Sequence, residues 1–321
     1  MECCVIIDVF KRYTLLIMVL FSLLDARAQY DPSFIHYWAM ETSYNPAAAG
    51  KDPMLNVAGA YNMTLTGFEN NPKTMYIGAD IPFYALRSYH GAGLQILNDE
   101  IGLFSHKRLN VQYTYRFRLL GGMFSIGVQG GLLSEKFDGS KVDLPDENST
   151  DKVFSKADVT GTGVDLAAGL YYKHRNWYAG FSSQHLTAPT VELGETNELE
   201  VSRSYYFTAG YNIQLRNPFL MVQTSVLGRT DGVAYRGDIT ARLKYTHDKK
   251  VMYAGLGYSP TNSVTLLIGG NFHGVMFGYG YEAYTGAISL GNGSHELFVG
   301  YQTDINLFKK GRNRHQSVRL L

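Results

Sequence analysis

Histidine side chains are the first groups in this sequence that could bind a metal ion. Along the body of the chain they are scattered, with no His-x-His or His-x-x-x-His pair, at His90, His106, His174, His185, His247, His273 and His295. A local metal site usually takes two ligands from one short segment. Gly161 and Gly163 resemble the start of a dinucleotide-binding loop, but Leu166 stands where that fingerprint has its third glycine. The sequence therefore predicts no metal ion and no other cofactor.

A serine, histidine and acid triad at the rim of a membrane barrel is the enzyme alternative. Ser183, Gln184 and His185 follow one another at the end of a predicted strand. Neighbouring residues of a strand point to opposite faces, and the sequence contains no Gly-x-Ser-x-Gly elbow. We therefore expect a protein that is not an enzyme.

Five basic residues, by contrast, alternate with apolar ones: Arg116, Arg118, Arg236, Arg242 and Lys244. If they share one enclosed face, their charged groups could make paired contacts with the carboxylates of a bound partner. The plainer alternative is the polar lining of any barrel, balanced by acidic residues on the same face: Asp80, Asp165, Asp238, Glu282 and Glu296. The interpretation depends on the elements that carry these side chains.

Residues 107–120 carry the clearest alternation. The odd positions from Leu109 to Leu119 are all apolar, and the even positions from Arg108 to Arg118 are all polar or basic. Side chains alternate across a strand, so this stretch has one apolar and one polar face. The pattern recurs along most of the chain, which favours a closed barrel with lipid outside and a polar lumen inside.

Composition agrees with a membrane barrel. The chain has 321 residues, of which 45% are hydrophobic and 18% charged, and its net charge of +1 does not suggest a nucleic-acid partner. Beyond the N-terminus no apolar run approaches the roughly 20 residues of a membrane helix. About fourteen runs have the length of tilted spanning strands: 55–66, 73–82, 90–97, 106–120, 123–136, 163–174, 177–186, 204–215, 219–228, 234–246, 250–259, 263–272, 275–284 and 294–307.

The connections between these runs alternate in length. Those after even-numbered strands are mostly short, and those after odd-numbered strands include 137–162, 187–203 and 285–293. Outer-membrane barrels have short periplasmic turns and longer external loops. The sequence therefore predicts an all-β, transmembrane, antiparallel up-and-down β-barrel with both termini in the periplasm.

The chain divides into four predicted regions. Residues 1–28 are a signal peptide, because Lys11 and Arg12 precede an apolar run that ends before Ala26-Arg27-Ala28. Residues 29–54 are a periplasmic N-terminal segment packed against the barrel mouth, 55–308 are the outer-membrane barrel, and 309–321 are a basic periplasmic tail. Both cysteines precede the cleavage site, so the mature chain has no disulfide.

The order of several motifs resembles the PorP/SprF family of type IX secretion-associated outer-membrane proteins. They are QYDPSF at 29–34, SYNPAAAG at 43–50, GAGLQILNDEIG at 91–102, AGLYY at 168–172 with WYAGFS at 177–182, YYFTAGY at 205–211, FGYGYE at 277–282, GSHEL at 293–297 and SVRLL at 317–321. The resemblance implies a barrel in the bacterial outer membrane that works with the type IX machinery or anchors an adhesin. It supplies no catalytic residues.

Three functions follow as hypotheses. The leading one is a non-catalytic outer-membrane component of the type IX secretion and gliding pathway. Its partners would be a secreted or surface adhesin-like protein, periplasmic type IX components and outer-membrane lipid, with the five basic residues in the partner site. The alternative is a passive porin or uptake channel for small solutes. A soluble all-β protein is the third.

Overall fold

The computed structural model describes residues 31–141, 158–193, 197–248, 250–286 and 292–304. Fourteen strands form one closed antiparallel barrel, and β8 (Thr190–Leu193) and β9 (Asn197–Glu200) form a separate hairpin. No helix among these residues is long and apolar enough to cross a membrane. The barrel strands are β1 (Leu55–Met63), β2 (Lys73–Ala85), β3 (Ser88–Ile101), β4 (Phe104–Leu119), β5 (Gly122–Phe137), β6 (Val159–Lys173), β7 (Trp177–Gln184), β10 (Ser204–Gln214), β11 (Leu220–Thr230), β12 (Tyr235–His247), β13 (Lys250–Ser259), β14 (Ser263–Phe272), β15 (Val275–Tyr284) and β16 (Ser294–Thr303).

The barrel closes where β1 pairs with β16. Along the rest of the wall each strand pairs with the next one in the chain, except that β7 pairs directly with β10. Closure gives every barrel strand a hydrogen-bonded neighbour on both sides, so the sheet has no free edge strand, as a lipid environment requires. The predicted fourteen-stranded barrel is confirmed. The connection predicted at 83–89 is in fact the two-residue turn Leu86-Arg87, because β2 and β3 are longer than the sequence indicates.

The side chains of β4 show why this sequence forms a barrel wall. Gln112 and Thr114 point inward and are buried, whereas Val111, Tyr113 and Tyr115 point outward and are exposed. Apolar side chains on the outside are stable only against lipid. The alternation that predicts the strand therefore also sets which face meets the membrane.

The two ends of the barrel differ in their connections. We call one the turn end, where short turns join β2 to β3, β4 to β5, β6 to β7, β10 to β11, β12 to β13 and β14 to β15. At the other, the loop end, lie the connections 64–72, 138–158, 185–203 and 285–293. Strand β1 begins, and β16 ends, at the turn end. The sequence-based prediction is that the turn end faces the periplasm.

The β8–β9 hairpin covers part of the loop end. Val191 and Leu193 pack with Val201 against Leu133, whose side chain points inward from β5. Gly161 of β6 faces Val191, and a Cβ at that position would collide with the valine side chain. Within the long connection predicted at 187–203, the described residues of β8 and β9 thus form a hairpin that packs inside the rim.

Candidate functional site

The lumen is filled by the N-terminal part of the same chain. Residues 31–54, which we call the plug, pass from the loop end to the turn end, where β1 begins. The sequence predicts a periplasmic segment against the barrel mouth at 29–54, and the structure instead places 31–54 inside the barrel. Wall side chains do not fill so wide a barrel, which leaves room for a chain segment.

The path of the plug also separates the two ends of the described chain. Asp31 contacts Arg108 and Tyr206 in the loop-end half of the lumen. The last described residue, Asp304, directly follows β16 at the turn end. The first and last described residues therefore lie toward opposite ends of the barrel, and the periplasmic location of both termini stays a prediction.

Small side chains bring the middle of the plug close to the wall. Ala47, Ala48 and Ala49 are fully buried. Gly91 of β3 and Gly127 of β5 face them, and a Cβ at either glycine would collide with the backbone of the plug. The three alanines of the plug therefore pack closely against the wall at the two glycines.

Polar contacts hold the plug near the turn end. The guanidinium of Arg116 donates to the carbonyl oxygens of Gly50 and, at 3.0 Å, Lys51. The backbone N–H of Gly50 donates to the carboxylate of Asp80 at 2.8 Å. One charged side chain of each sign thus binds the plug backbone, which satisfies polar groups that the lumen buries.

Glu296 of β16 receives the plug nearer the loop end. Its carboxylate accepts the backbone N–H groups of Ile35 at 2.7 Å and His36 at 2.8 Å, and it lies 2.7 Å from Nδ1 of His36. The imidazole stacks on Phe298 with ring centroids 5.1 Å apart. Both members of the pair are fully buried.

A buried charged cluster, which we call the loop-end lock, consists of Asp31, Arg108, Asp165, His185 and Tyr206. Arg108 and the Tyr206 hydroxyl each donate to the Asp31 carboxylate at 2.6 Å. His185 lies between two carboxylates, 3.2 Å from Asp31 and 2.9 Å from Asp165. Asp31 therefore ties the start of the plug to β4 and β10 and to the residue after β7.

The lock shifts the pKa values of its two members outside the strands. Burial alone would raise the pKa of Asp31, but the charges of Arg108 and His185 outweigh it and hold the pKa well below the ordinary value. Burial would lower the pKa of His185, yet Asp31 and the hydrogen bond to Asp165 raise it to about 9. The lock therefore pairs an ionised carboxylate with a protonated imidazole at neutral pH.

Three of the predicted partner-binding residues are engaged inside the barrel. Arg116 binds the plug backbone, and the guanidinium of Arg242 lies 3.4 Å from the centroid of a Trp38 ring in the plug. Arg236 pairs with wall carboxylates, Asp238 at 2.9 Å and Glu282 at 2.8 Å. The plug and the wall thus occupy the groups that the sequence analysis assigns to an external partner.

The other two predicted residues lie near the turn end. Arg118 is exposed, and Lys244 is partly buried. Strands β4 and β12 stand nearly opposite each other in the barrel, so Arg116 and Arg118 lie across the lumen from the basic residues of β12. That these residues bind a partner stays a prediction. Asp31 and His36 gave no sequence signal, because their partners depend on which strands meet across the lumen.

Metal binding has no candidate in the described part of the chain. No group of three or more His, Cys, Asp or Glu residues within it could hold a metal ion. His36 contacts one carboxylate and His185 contacts two, as in ordinary ion pairs and hydrogen bonds.

Comparisons with known proteins agree with this architecture. A family described as "Type IX secretion system membrane protein PorP/SprF" matches residues 26–301. No curated protein sequence matches significantly. Among solved structures, the CymD monoaromatic hydrocarbon channel is similar with a TM-score of 0.53 and 10% identity, over 83% of this chain and 93% of that chain. A Pseudomonas aeruginosa FadL homologue has a TM-score of 0.43 at 11% identity, over 81% of this chain and 92% of that one. At such identities the likeness to CymD shows the fold alone.

Proposed function

Because this chain belongs to the PorP/SprF family of type IX secretion system membrane proteins and folds as an outer-membrane barrel, we propose that it is a non-catalytic scaffold of that pathway. The barrel anchors the protein in lipid. The loop end binds a secreted or adhesin-like protein at the cell surface, and the turn end binds periplasmic components.

The observation that supports a scaffold is the filled lumen. The plug is packed at its middle by buried alanines, near the turn end by Arg116, and toward the loop end by Glu296 and the loop-end lock. Opening a solute path through the centre would require breaking buried ion pairs and hydrogen bonds at several heights. Each buried charge left without its partner is costly, so the plug favours a closed barrel.

The predicted basic residues divide between two roles in this proposal. Arg116, Arg236 and Arg242 hold the plug and the wall together, and Lys244 lines the lumen beside them. Arg118, which is exposed at the turn end, is available to a partner outside the barrel. In this proposal partners therefore bind at the loop end and the turn end of the barrel and not inside the lumen.

Conductance across planar bilayers separates the scaffold from a passive channel. We expect the purified full-length protein to show no steady conductance, because residues 31–54 fill the lumen. A variant that combines Arg116→Gln with Asp31→Asn, which loosens both ends of the plug, serves as the positive control and should conduct intermittently. Steady conductance of the unaltered protein would instead favour the porin or uptake channel.

Loss of the gene product tests the link to secretion. Surface biotinylation followed by mass spectrometry, with and without the protein, measures the display of proteins exported by the type IX pathway. We expect selective loss of one exported adhesin-like protein and recovery on complementation. Unchanged display of every type IX cargo would contradict the scaffold.

A further inference from the structure

Four neighbouring turns at the turn end share an unusual composition. They join β2 to β3, β4 to β5, β6 to β7 and β10 to β11, and these hairpins are adjacent in the wall because β3 pairs with β4, β5 with β6 and β7 with β10. Each carries one exposed arginine, namely Arg87, Arg118, Arg175 and Arg216. We call this surface the arginine arc. Eight adjacent strands, separated by seven spacings of about 4.8 Å, give it a length of roughly 34 Å along the wall.

The arc also exposes large apolar side chains. Leu86 and Leu120 at the turn tips are 93% and 87% exposed, and Trp177 and Phe219 are also exposed. The turn residues 86–87, 118–122, 173–177 and 214–220 include no Asp or Glu. Lys173 at its edge is already paired with Asp52 of the plug at 2.6 Å. The surface therefore presents unbalanced positive charge beside uncovered apolar groups.

The backbone of the first turn is not one that its side chains favour. Leu86 and Arg87 have φ values of 47° and 61°, in the left-handed region. Two-residue hairpin turns of this kind usually take Asn-Gly, because other residues are strained there. Leu86 gains almost no packing from the described residues in return, since its side chain is 93% exposed. Folding of the hairpin alone gives no reason for leucine and arginine at these positions.

The position of the tips argues against lipid as the occupant. Tyr115 points outward from β4 and is exposed, and Phe83 and His90 stack beside it on the same face with ring centroids 5.2 Å apart. Exposed aromatic side chains near strand ends mark the membrane interface. Leu86 and Arg87 lie beyond these rings, and β2 continues from Asp80, which faces Asn56 at the start of β1, as far as Ala85. The tips therefore project past the β1–β16 seam into the aqueous side.

From these observations we propose that the arginine arc is the docking surface for an acidic, partly apolar face of a protein partner on the turn-end side of the membrane. Protein interfaces are enriched in arginine and aromatic residues and depleted of lysine, aspartate and glutamate, which is the composition of the arc. A partner covers the leucines and supplies carboxylates to the arginines. The kind of partner follows from the proposed function, on which this proposal rests. The proposal adds the residues that bind that partner.

Site-specific photo-crosslinking in the native membrane tests the contact. A photoreactive amino acid replaces Leu86 or Leu120 in the full-length protein, and Tyr235, which is 78% exposed at the loop end, is the control position. We expect Leu86 and Leu120 to give the same protein adduct and Tyr235 to give none of it. Adducts containing phospholipid only, or an equal yield at Tyr235, would overturn the docking surface.

Charge reversal then tests the chemistry with the cross-linked protein, identified by mass spectrometry and purified. The double variant Arg87→Glu/Arg118→Glu should bind it at least tenfold more weakly than the unaltered barrel does. Lys73→Glu/Lys107→Glu, which reverses two exposed charges near the loop end, should bind normally. Reversing the partner's acidic residues to lysine should restore binding to the first variant. Equal affinities for both double variants would sink the proposal.

The secretion assay and the cross-linking experiment can fail independently, so failure of the scaffold role and failure of the docking surface are distinguishable. If cargo display is unchanged without the protein while the adduct and the charge-reversal effect persist, the scaffold role is lost and the docking surface stands. If display is lost but Leu86 and Leu120 give no protein adduct, the docking surface is lost and the scaffold role stands.

Discussion

Asp31→Asn should release the loop-end half of the plug. The carboxylate accepts two hydrogen bonds of 2.6 Å and pairs with His185, and all four side chains are buried. Asparagine keeps the shape but removes the negative charge that Asp31 places beside Arg108 and His185. Breaking a buried pair in this way costs about 3–5 kcal/mol. At about 1.4 kcal/mol per factor of ten, the plug should open roughly a hundredfold more often or more.

Hydrogen exchange of the plug amides measures that opening. The N–H groups of Ile35 and His36 bond to the buried Glu296, so they exchange only when this part of the plug leaves the wall. Their protection should fall by about the factor given above, while the amides of β4 remain protected. Asp158→Asn, an exposed change at the loop end, is the matched control. Unchanged protection of Ile35 and His36 in Asp31→Asn would refute the role of the lock.

The same lock predicts a pH dependence whose sign follows from its two pKa shifts. His185 has a folded pKa of about 9 against an ordinary 6.5. Its contribution is therefore complete below about pH 6.5 and lost as pH rises through 9. At about 1.36 kcal/mol per unit, the contribution is roughly 3 kcal/mol. The lowered pKa of Asp31 acts oppositely, so its contribution is present above the ordinary carboxylate pKa and lost as pH falls through the folded value. Protection of Ile35 should therefore decline between about pH 6.5 and pH 9 beyond the intrinsic rate change, and His185→Gln should remove that decline.

Three further variants test the fit of the plug, the lipid face and the orientation. Gly127→Ala should lower the yield of folded barrel, measured by heat-modifiable migration on gels, because its Cβ meets the plug backbone. Gly130 faces outward on the same strand, where a Cβ would make only ordinary contacts, so Gly130→Ala should fold normally. Val111→Arg should reduce assembly in the same assay by placing a cation against lipid at a cost of about 2–4 kcal/mol, whereas Val111→Leu should assemble normally. An epitope inserted at Gly232 should bind antibody on intact cells and one at Asn217 should not, and the reverse pattern would invert the proposed topology.

The wall of the barrel could be predicted from the sequence because it depends on local periodicity. The alternation in residues 107–120 sets which side chains face inward, and the structure agrees with it from Arg108 to Arg116. Glycine-rich strands such as β14 and β15 blur the pattern, yet their hairpin rhythm still shows where they run. Strand ends were less accurate, since β2 and β3 continue past the last clearly alternating residue to a two-residue turn.

The contents of the lumen could not be predicted in the same way. Residues 31–54 lack any periodicity, and their partners lie in strands up to 261 positions away, as Ile35 and Glu296 do. Alternation alone shows only that a residue such as Gln112 faces inward, whereas its amide donates to the plug at the carbonyl of Thr42 and to the side chain of Gln129. Such contacts arise from closure of the whole barrel.

Arg116 and Arg118 show how the plug separates structural from binding roles on one strand. They are two residues apart on β4 and share a face by alternation. Arg116 is buried and donates to two plug carbonyls, whereas Arg118 lies past the plug and is exposed in the arginine arc. Arg116→Gln should therefore lower the free energy of unfolding by about 1.5–3 kcal/mol, the value of hydrogen bonds from a charged donor. Arg118→Gln should stay within about 0.5 kcal/mol of the unaltered protein, as exposed substitutions do.

Measured together, the two variants test whether the basic lining acts as one site. Arg118→Gln should weaken binding of the cross-linked partner without changing the melting temperature. Arg116→Gln should lower the melting temperature while the folded fraction binds the partner normally, because its guanidinium points to the plug. If both variants lost binding alike at unchanged stability, the arginines would face one shared cavity, and the plug could not be the resident occupant of the lumen.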